Sequence, residues 1–283
     1  MLHLHKKLFK LSAYASGFSV VFVTLCCLGV VFYSGAHSMN IDFLTSPAVG
    51  AGVDGGILYQ ILGTVILIVT AAVFTTPLGY GVAIYQSCYN RSPVTSRILS
   101  NAMDILNATP SVVLGIIGYV VFIKWLDLGK SWLTGALVLS LMILPLVTSS
   151  IYQRIMTIPS DYIESAKALG IAKDKILKSV ILPYSFGGYI TGLSLGLARA
   201  AGETAPIMFT AAVFSGADVP TGIKDSPVVA LPYHIFNLAQ DTFDPKASHN
   251  AWASASTLIF IVFIFLALSA IVRSKTHEQA SHG

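Results

Sequence analysis

The sequence predicts an all-α membrane protein that crosses the bilayer about six times. Of its 283 residues, 54% are apolar and only 11% are charged, whereas roughly a quarter of the residues in a soluble domain are charged. Six stretches without charge are long enough to cross a bilayer, which takes about 20 residues. They cover residues 11–41, 55–90, 105–123, 131–153, 179–198 and 247–272.

Each of these stretches is predicted to form a helix, because backbone polar groups in lipid must find partners within the protein. The stretches are also unlike the short alternating segments of a membrane β-barrel. The apolar run Ala13–Tyr33 is longer than the core of a signal peptide, about 7–15 residues, so we expect it to remain uncleaved. A seventh stretch, Thr204–Ala217, is too short to span the bilayer and is expected to be re-entrant or interfacial.

The basic residues predict the orientation of the chain in the membrane. Six helices place both termini on one side, and twelve Lys and Arg residues fall on that side against four on the other. Because basic loops favour the cytoplasm, we expect both termini to be cytoplasmic. We expect residues 1–56 to form a cytoplasmic tail, the first helix and an outer loop. Residues 57–273 should then form the transmembrane core, with a cytoplasmic loop at about 151–178, and residues 274–283 a cytoplasmic tail.

Neither a metal site nor a cofactor site is expected. The cysteines Cys26, Cys27 and Cys88 lack metal-ligand spacing. The long outer segment Asp218–Asn250 contains four prolines, which indicates an irregular loop with short helical pieces.

The cytoplasmic loop at 158–170 is predicted to contain a short amphipathic helix. Ser160 is a good N-cap residue, and Gly170 suits the position just after a helix. A second helix is expected from about Ala172 toward Pro183. The first helix could dock on a partner or lie on lipid headgroups, and the residues alone leave both open. Its predicted apolar face consists of Tyr162, Ile163, Ala166 and Leu169.

The fifth span has a stripe of small residues and two ionisable residues near its end. At 100° per residue, Arg199 and Glu203 fall on the same face as the stripe. Ionisable groups inside a membrane face a cavity or one another, because exposure to lipid is costly. Arg199 could therefore attract an anion in a pathway while Glu203 limits over-tight binding, or the two could form a structural ion pair. The stripe, which allows close helix approach, is Gly188, Gly192, Gly196 and Ala200.

The cytoplasmic loop resembles the signature loop of ABC importer permeases, which reads E-A-A, three residues, G, nine residues and I-x-L-P. The matching residues are Glu164, Ser165, Ala166, Gly170, Val180, Leu182 and Pro183. Ser165 and Val180 replace Ala and Ile, and both changes are small in size. In that family the loop forms a coupling helix in a groove of the cytoplasmic ATPase. The resemblance implies this role for Glu164, Ser165, Ala166 and Gly170.

Other segments resemble the PstA type of phosphate importer permease. Ala198–Thr210 is similar to that family's A-R-A-x-G-E-T-A-P segment, Thr109–Gly115 to its P-S-V-V-x-G turn, and Phe43–Pro47 to its approach to the second span. The sister permease usually has G-R-A-x-G-E-T without the following Ala-Pro, so the PstA type is preferred. The resemblance covers the chain from about residue 40 to the C-terminus.

This resemblance implies a six-helix MetI-like ABC permease fold and a transport function. The chain would move inorganic phosphate across the inner membrane by alternating access. Its partners would be a second related permease in a heterodimer, two cytoplasmic ATPase subunits and a periplasmic or extracellular phosphate-binding protein. ATP would be hydrolysed on the ATPase, because this chain has no G-x-x-x-x-G-K-[ST] loop. The pathway residues implied are Arg199, Glu203 and Thr204, with Asn107, Thr109 and Ser111 as weaker candidates.

Three alternatives remain at this point. The substrate could be a related oxyanion or a phosphonate, and the chain could be an autonomous channel, although no inverted repeat is apparent. Gly192–Gly196 also matches G-x-S-x-G, as in an intramembrane serine protease. A nucleophilic serine needs a base within hydrogen-bond reach, and all seven histidines are expected outside the spans.

Overall fold

The computed structural model describes residues 2–90, 92–216, 219–241 and 244–281. The described chain is helical apart from one small hairpin, and the helices are connected by short loops and three π-helical turns. The elements are α1 (Leu2–Ala36), α2 (Ile41–Thr45), β1 (Ala48–Val49), β2 (Asp54–Gly55), α3 (Leu58–Ile84), α4 (Pro93–Ala108), α5 (Ser111–Gly118), α6 (Trp132–Met156), α7 (Ser160–Ala168), α8 (Lys173–Ile176), α9 (Leu182–Gly202), α10 (Ala205–Thr210), α11 (Leu231–Gln240) and α12 (Pro245–Ser281). The π-helical turns are Tyr85–Tyr89, Tyr119–Trp125 and Leu177–Ile181, and a 3₁₀ turn covers Gly50–Gly52.

The membrane spans confirm the predicted class and nearly all of the predicted number. Five helices are long and apolar enough to cross a bilayer. Their ranges are Phe9–Ala36, Leu58–Tyr89, Trp132–Met156, Lys173–Gly202 and Pro245–Ser274. A sixth span exists only as a bent pair, α4 followed by Ser111–Trp125, with an angle of 104° between them.

The third span, expected at 105–123, is therefore broken into two helices rather than continuous. The chain breaks at Thr109 and Pro110, where Thr109 has extended backbone angles of φ −69° and ψ 126°. Proline lacks an N–H and clashes with a helical residue before it. Pro110 therefore ends α4 and starts α5 in a new direction.

α6 is the central helix of the bundle. In the most apolar stretch of α6, 72% of the residues are buried inside the protein. In the corresponding stretch of α1, none is buried. Leu139, Ile143, Val147 and Ile151 recur every four residues and are at most 1% exposed. α3 and α9 both pack against α6 and contact each other, and α12 packs against α9. Burial of one such side chain contributes about 1.5–3 kcal/mol where water is the alternative environment, but in lipid the gain comes from close packing.

The glycine stripe of α9 lies against the backbone of α6. A Cβ atom at Gly188 would lie 2.5 Å from the carbonyl oxygen of Ser150, and one at Gly192 would lie 2.7 Å from Ser150 Cβ. A Cβ atom at Gly196 would lie 3.1 Å from Ile143 Cβ. Since real Cβ atoms do not approach backbone so closely, α9 can occupy this position only with glycine at the first two sites.

The start of α3 is joined to the segment that precedes α11. A Cβ atom at Gly63 would lie 1.9 Å from the carbonyl oxygen of Val229. The neighbouring Thr64 hydroxyl donates to Gln60 O at 2.8 Å and accepts from the backbone N–H of Leu231 at 2.8 Å. These contacts bring residues 167 positions apart into one buried cluster.

The loops at the other end of the bundle from α7 are tied to one another by polar contacts. Trp132 Nε1 donates to Gly222 O at 2.7 Å, and Lys224 forms an ion pair with Asp127. Lys246 Nζ lies 3.0 Å from Asp54 Oδ1. The segment 219–241 is irregular except for α11, in agreement with the prediction of short helical pieces in this loop.

His234 lies on α11 beneath the 3₁₀ turn and is only 4% exposed. Neither ring nitrogen has a hydrogen-bond partner among the described residues. Gly52, at φ +92°, passes directly over the ring, so that a Cβ atom there would lie 2.4 Å from His234 Cε1. Burial lowers the pKa of His234 from 6.5 to about 4, which means that the folded protein holds the neutral imidazole.

The glycine packing gives the first prediction. Gly188→Ala should destabilise the protein by about 1–3 kcal/mol, because the new methyl group would lie 2.5 Å from both Arg154 Cβ and Ser150 O, and neither atom can rotate away. Gly187→Ala is the matched control, since the nearest atom to a Cβ there is Arg154 Nε at 4.0 Å. Thermal unfolding in mild detergent measures both variants. Equal melting temperatures for the two would contradict the packing described here.

His234 gives the second prediction, in which stability falls as the pH drops. Between pH 6.5 and pH 4 the unfolded chain binds the proton and the folded protein does not. The neutral imidazole therefore contributes about 3 kcal/mol to the free energy of unfolding above pH 6.5. This contribution is lost as the pH falls from 6.5 to 4. His234→Gln should flatten this part of the pH profile of thermal unfolding. His249→Gln, at an exposed position, should leave the slope unchanged, and an unchanged slope in His234→Gln would refute the assignment.

Candidate functional site

Two chain breaks lie side by side at the candidate site. The first separates α4 from α5 and the second separates α9 from α10. A Cβ atom at Gly115 would lie 2.8 Å from Pro206 Cα, and one at Gly118 would lie 3.3 Å from Thr210 Cγ2. Because these contacts advance in the same direction along both helices, α5 and α10 run parallel. Their N-terminal ends, and hence the two breaks, lie at the same end of the contact.

Arg199 and Glu203 form an ion pair at the second break. Arg199 Nε lies 3.5 Å from Glu203 Oε1, and their side chains are 37% and 18% exposed. Glu203 ends α9 with an extended backbone, at φ −78° and ψ 120°. The pair is neither sealed in the core nor fully exposed, so both groups remain partly accessible at the surface of the bundle.

The structure brings some of the other candidate residues to this region. Thr204 immediately precedes α10 and its side chain makes no capping hydrogen bond. Ser111 is the first residue of α5 and is partly buried. Thr109 lies at the break itself, where its hydroxyl donates to Ile105 O at 2.6 Å. Asn107 is exposed on α4, before the bend, and is separated from the ion pair by the change in helix direction.

The N-terminal end of α5 adds positive potential to the site. Its first intrahelical hydrogen bond runs from Leu114 N to Pro110 O at 3.1 Å. The N–H groups of the preceding three residues therefore have no acceptor within the helix. Unpaired N–H groups and the helix dipole together attract anions. Sequence reasoning missed this feature, although Pro110 and Pro206, each at the start of a new helix, were a usable signal.

The loop between α6 and α9 folds as two helices separated by a tight turn. Gly170, at φ +73°, directly follows α7 and its cap residue, as predicted. Gly170 N donates to Lys167 O at 2.9 Å, and Ile171 N donates to Ala166 O at 3.1 Å. These two bonds form a Schellman motif, which satisfies the last carbonyls of α7 and requires a residue that tolerates positive φ.

Two details of the loop differ from the prediction. The N-cap residue is Pro159, and Ser160 is already helical and donates to Asp161 Oδ1 at 3.3 Å. The predicted single apolar face is divided, because Ile163 and Ala166 pack against the core. Tyr162 and Leu169, in contrast, are 66% and 80% exposed. Helical periodicity shows which residues share a face, but not how much of that face the protein itself covers.

The candidate coupling residues lie on this exposed helix. Glu164, Ser165 and Gly170 are exposed, and Ala166 is partly buried against the core. No atom lies within 4 Å of a Cβ at Gly170. α7 therefore packs against the bundle along one edge, and the rest of its surface is exposed.

α8, the π-helical turn and α9 form one continuous span of 30 residues, Lys173–Gly202. The expectation that the loop helix stops near Pro183 and a separate span begins is wrong. Leu182 N donates to Leu177 O across the widened π-helical turn, which leaves room for the ring of Pro183. A helix of this length extends about 45 Å, from the loop to the ion pair.

Ser194 does not have the surroundings of a catalytic nucleophile. Its hydroxyl contacts the Ser269 hydroxyl and Ile190 O, which are helix-packing contacts. The expectation that all histidines lie outside the spans is wrong for His249, which lies in the first turns of the Pro245–Ser274 span. Twenty residues separate His249 from Ser269, or about 30 Å of helix. His249 is thus too far from Ser194 to act as its base.

The comparisons with known proteins agree with this architecture. Residues 75–274 match the family described as "Binding-protein-dependent transport system inner membrane component". "Phosphate transport system permease protein PstA 2" of Mycobacterium bovis is 33% identical over 254 residues, which cover 86% of this chain and 82% of the relative. "Phosphate transport system permease protein PstA" of Yersinia pestis is 31% identical over 232 residues, or 82% of this chain and 76% of the relative.

Solved structures confirm the predicted MetI-like fold. An inward-facing crystal structure of the MetNI methionine ABC transporter contains a chain that superimposes with a TM-score of 0.59 at 13% identity, covering 78% of this chain and 97% of that one. A chain of an amino acid ABC transporter crystallised with histidines gives a TM-score of 0.58 at 14% identity, covering 77% of this chain and 92% of that one. At such low identity the likeness concerns the fold alone.

Proposed function

This chain belongs to the family of binding-protein-dependent transport system inner membrane components, and we propose that it conducts inorganic phosphate in an ATP-driven importer. The observation that carries the proposal is the position of Arg199, partly exposed beside the two helix breaks. Relatives that match over most of their length are phosphate transport permeases, which supports phosphate over other oxyanions or phosphonates.

The proposed pathway passes between the ion pair and the start of α5. An oxyanion there would meet the guanidinium of Arg199 and the free N–H groups at the start of α5, both suited to phosphate oxygens. Ser111 and Thr204 would add hydroxyl donors, and Thr109 and Asn107 would lie farther along the route. Glu203 would compete for Arg199, and this competition would keep phosphate binding weak enough for release.

We propose that both termini and α7 face the cytoplasm of a cell whose inner membrane holds the protein. The bias of basic residues toward that end supports this orientation. Residues 1–56 would then be a cytoplasmic tail, the first transmembrane helix and an outer loop. Residues 57–273 would be the permease core with its coupling loop at about 151–178, and residues 274–283 a cytoplasmic tail.

The proposed assembly contains a second related permease, two ATPase subunits and an external phosphate-binding protein. The apolar residues along α5 support the second permease, since Val112, Val113, Ile116 and Ile117 are 42–49% exposed beside the pathway. The ATPase would bind the exposed surface of α7. The candidate coupling residues there are Glu164, Ser165, Ala166 and Gly170. This chain is therefore proposed to be a transporter subunit rather than an enzyme.

The continuity of the Lys173–Gly202 span supports alternating access as the proposed mechanism. A movement of α7 imposed by the ATPase would be transmitted through the turn at Gly170 to this rigid helix. Because the ion pair lies at the far end of the same helix, such a movement would change the access to Arg199. The glycine stripe would set the surface along which α9 moves against α6.

Replacement of Arg199 tests the pathway. Arg199→Ala should abolish phosphate uptake and leave assembly intact, because a partly exposed ion pair contributes only about 0–1 kcal/mol to stability. Uptake of labelled phosphate into proteoliposomes and copurification of the partner subunits measure the two effects. Arg97→Ala, at an exposed position on α4, is the control. An Arg199→Ala protein that fails to assemble would support a structural ion pair instead.

Replacement of Gly170 tests the coupling role. Gly170→Val has open space around it but must adopt φ +73°, at a cost of about 1–2 kcal/mol or more. We expect lost uptake and weaker copurification of the ATPase with normal amounts of the permease in the membrane. Gly170→Asn, which tolerates this conformation, should retain most of the activity. Full uptake in Gly170→Val would count against docking through α7.

A further inference from the structure

A cavity of about 350 Å³ lies between the end of α3 and the two helices of the loop that joins α6 to α9. This loop cavity is bounded by the π-helical turn Tyr85–Tyr89, by α7, and by α8 with the turn that follows it. Twenty-six residues separate Lys173, on its wall, from Arg199, or about 39 Å along the continuous span. The loop cavity is therefore distinct from the site at the helix breaks.

Two lysines line the loop cavity, one from each helix of the loop. Lys167 lies one turn after Ile163 on α7, and both residues line the cavity, so their side chains share a face. The ammonium of Lys173 lies 5.9 Å from the centroid of the Tyr89 ring. Neither ammonium forms a hydrogen bond or an ion pair with another of the described residues. Since no Asp or Glu is among the described lining residues, the cavity suits an anion.

Most of the remaining wall is apolar. Two of its apolar residues, Ile176 and Ile181, are only 4% and 6% exposed. The hydroxyl of Ser87 donates to a carbonyl of its own helix at 2.8 Å, so it is not a free donor. A ligand in the loop cavity thus meets two cations beside an apolar wall. This arrangement suits a molecule with an anionic part and an apolar part better than a small oxyanion, which needs polar donors around it.

The size of the loop cavity also favours an organic ligand. Its volume of about 350 Å³ falls within the range of about 300–1,000 Å³ that is typical of sites for organic molecules. A single water molecule accounts for about 30 Å³, so a small inorganic anion would leave most of the cavity unfilled.

The loop cavity lies at the depth of a bilayer surface. Tyr89 is the last residue of the span Leu58–Tyr89, and Lys173 is the first residue of the span Lys173–Gly202. Tyrosine and lysine side chains at such positions meet lipid headgroups, and basic pockets between transmembrane helices suit anionic ones. We infer that the loop cavity binds an anionic phospholipid, whose phosphate lies between Lys167 and Lys173 and whose apolar part lies along the isoleucines.

The bound lipid contacts the end of α3 and both helices of the loop at once. In the part of the chain that the structure describes, α7 packs against the core through Ile163 and Ala166. The lipid therefore adds a further attachment between α7 and the membrane-spanning bundle.

The test uses the full chain with its copurifying subunits in nanodiscs of phosphatidylglycerol and phosphatidylcholine. Lys167→Gln and Lys173→Gln each remove one cation from the loop cavity. Lys175→Gln is the matched control, because it removes the same charge from α8 at an exposed position outside the lining. Native mass spectrometry measures the phosphatidylglycerol that each protein retains. We expect each cavity variant to retain it about fivefold more weakly than the control.

Cys88 provides a second, local readout, since it lines the loop cavity. Cys26→Ser and Cys27→Ser remove the other two cysteines of the chain. The rate at which N-ethylmaleimide labels Cys88 is then measured by mass spectrometry of the peptide that contains it. Phosphatidylglycerol should slow this labelling severalfold relative to discs of phosphatidylcholine alone. The slowing should disappear when Lys167→Gln and Lys173→Gln are combined.

The inference is overturned if both cavity variants retain as much phosphatidylglycerol as Lys175→Gln does. It is also overturned if Cys88 is labelled equally fast in the two kinds of disc. Inorganic phosphate added to phosphatidylcholine discs is the third arm, and slowing as strong as that by phosphatidylglycerol would show a site for the free ion instead of a lipid. Each of these results leaves the proposed transport function standing, because that function rests on Arg199.

Discussion

The close approach of α9 to the backbone of α6 creates the pair of helices against which α3 and α12 pack. Helices in lipid gain nothing from hiding apolar surface from water, so their association depends on van der Waals packing and a few polar contacts. Gly188 and Gly192 leave space for the backbone and side chain of Ser150. With α9 held there, Tyr189 reaches Thr76 of α3 at 3.0 Å. On another face Ser194 meets Ser269 of α12, so one closely packed pair anchors helices on two further sides.

The two helix breaks are tolerated because other parts of the protein surround them. Irregular backbone at membrane depth survives only where protein or a water-filled cavity satisfies its polar groups. Glu203 N bonds to Ala200 O at 3.2 Å, and Thr210 O accepts from Ser131 N at 3.1 Å. The second contact ties the end of α10 to the start of α6. The same breaks leave helix ends and an ion pair partly exposed, so the irregularity that is costly for folding creates the polar site through which the pathway is proposed to run.

The sequence predicted local features better than contacts between distant segments. Charge-free length located the spans, since crossing lipid is a property of one segment alone. Gly170 was placed correctly because the end of a helix depends on neighbouring residues. The parallel packing of α5 on α10 could not be predicted in this way, since the Gly115–Pro206 contact joins segments that no helical period relates. Nor could periodicity separate the covered Ile163 from the exposed Leu169, because that division depends on what packs against α7.

The contact between Thr64 and Leu231 has a consequence for biogenesis. At a synthesis rate of about 5–20 residues per second, the 167 residues between them take roughly ten to thirty seconds to emerge. During that interval the second span is already in the membrane without its partner. The Thr64 hydroxyl donates to Gln60 O within its own helix, so it carries no unpaired proton in lipid while it waits. When Leu231 arrives, its N–H donates to the oxygen of the same hydroxyl, whose lone pairs are still free, and the two segments join without breaking any bond made earlier.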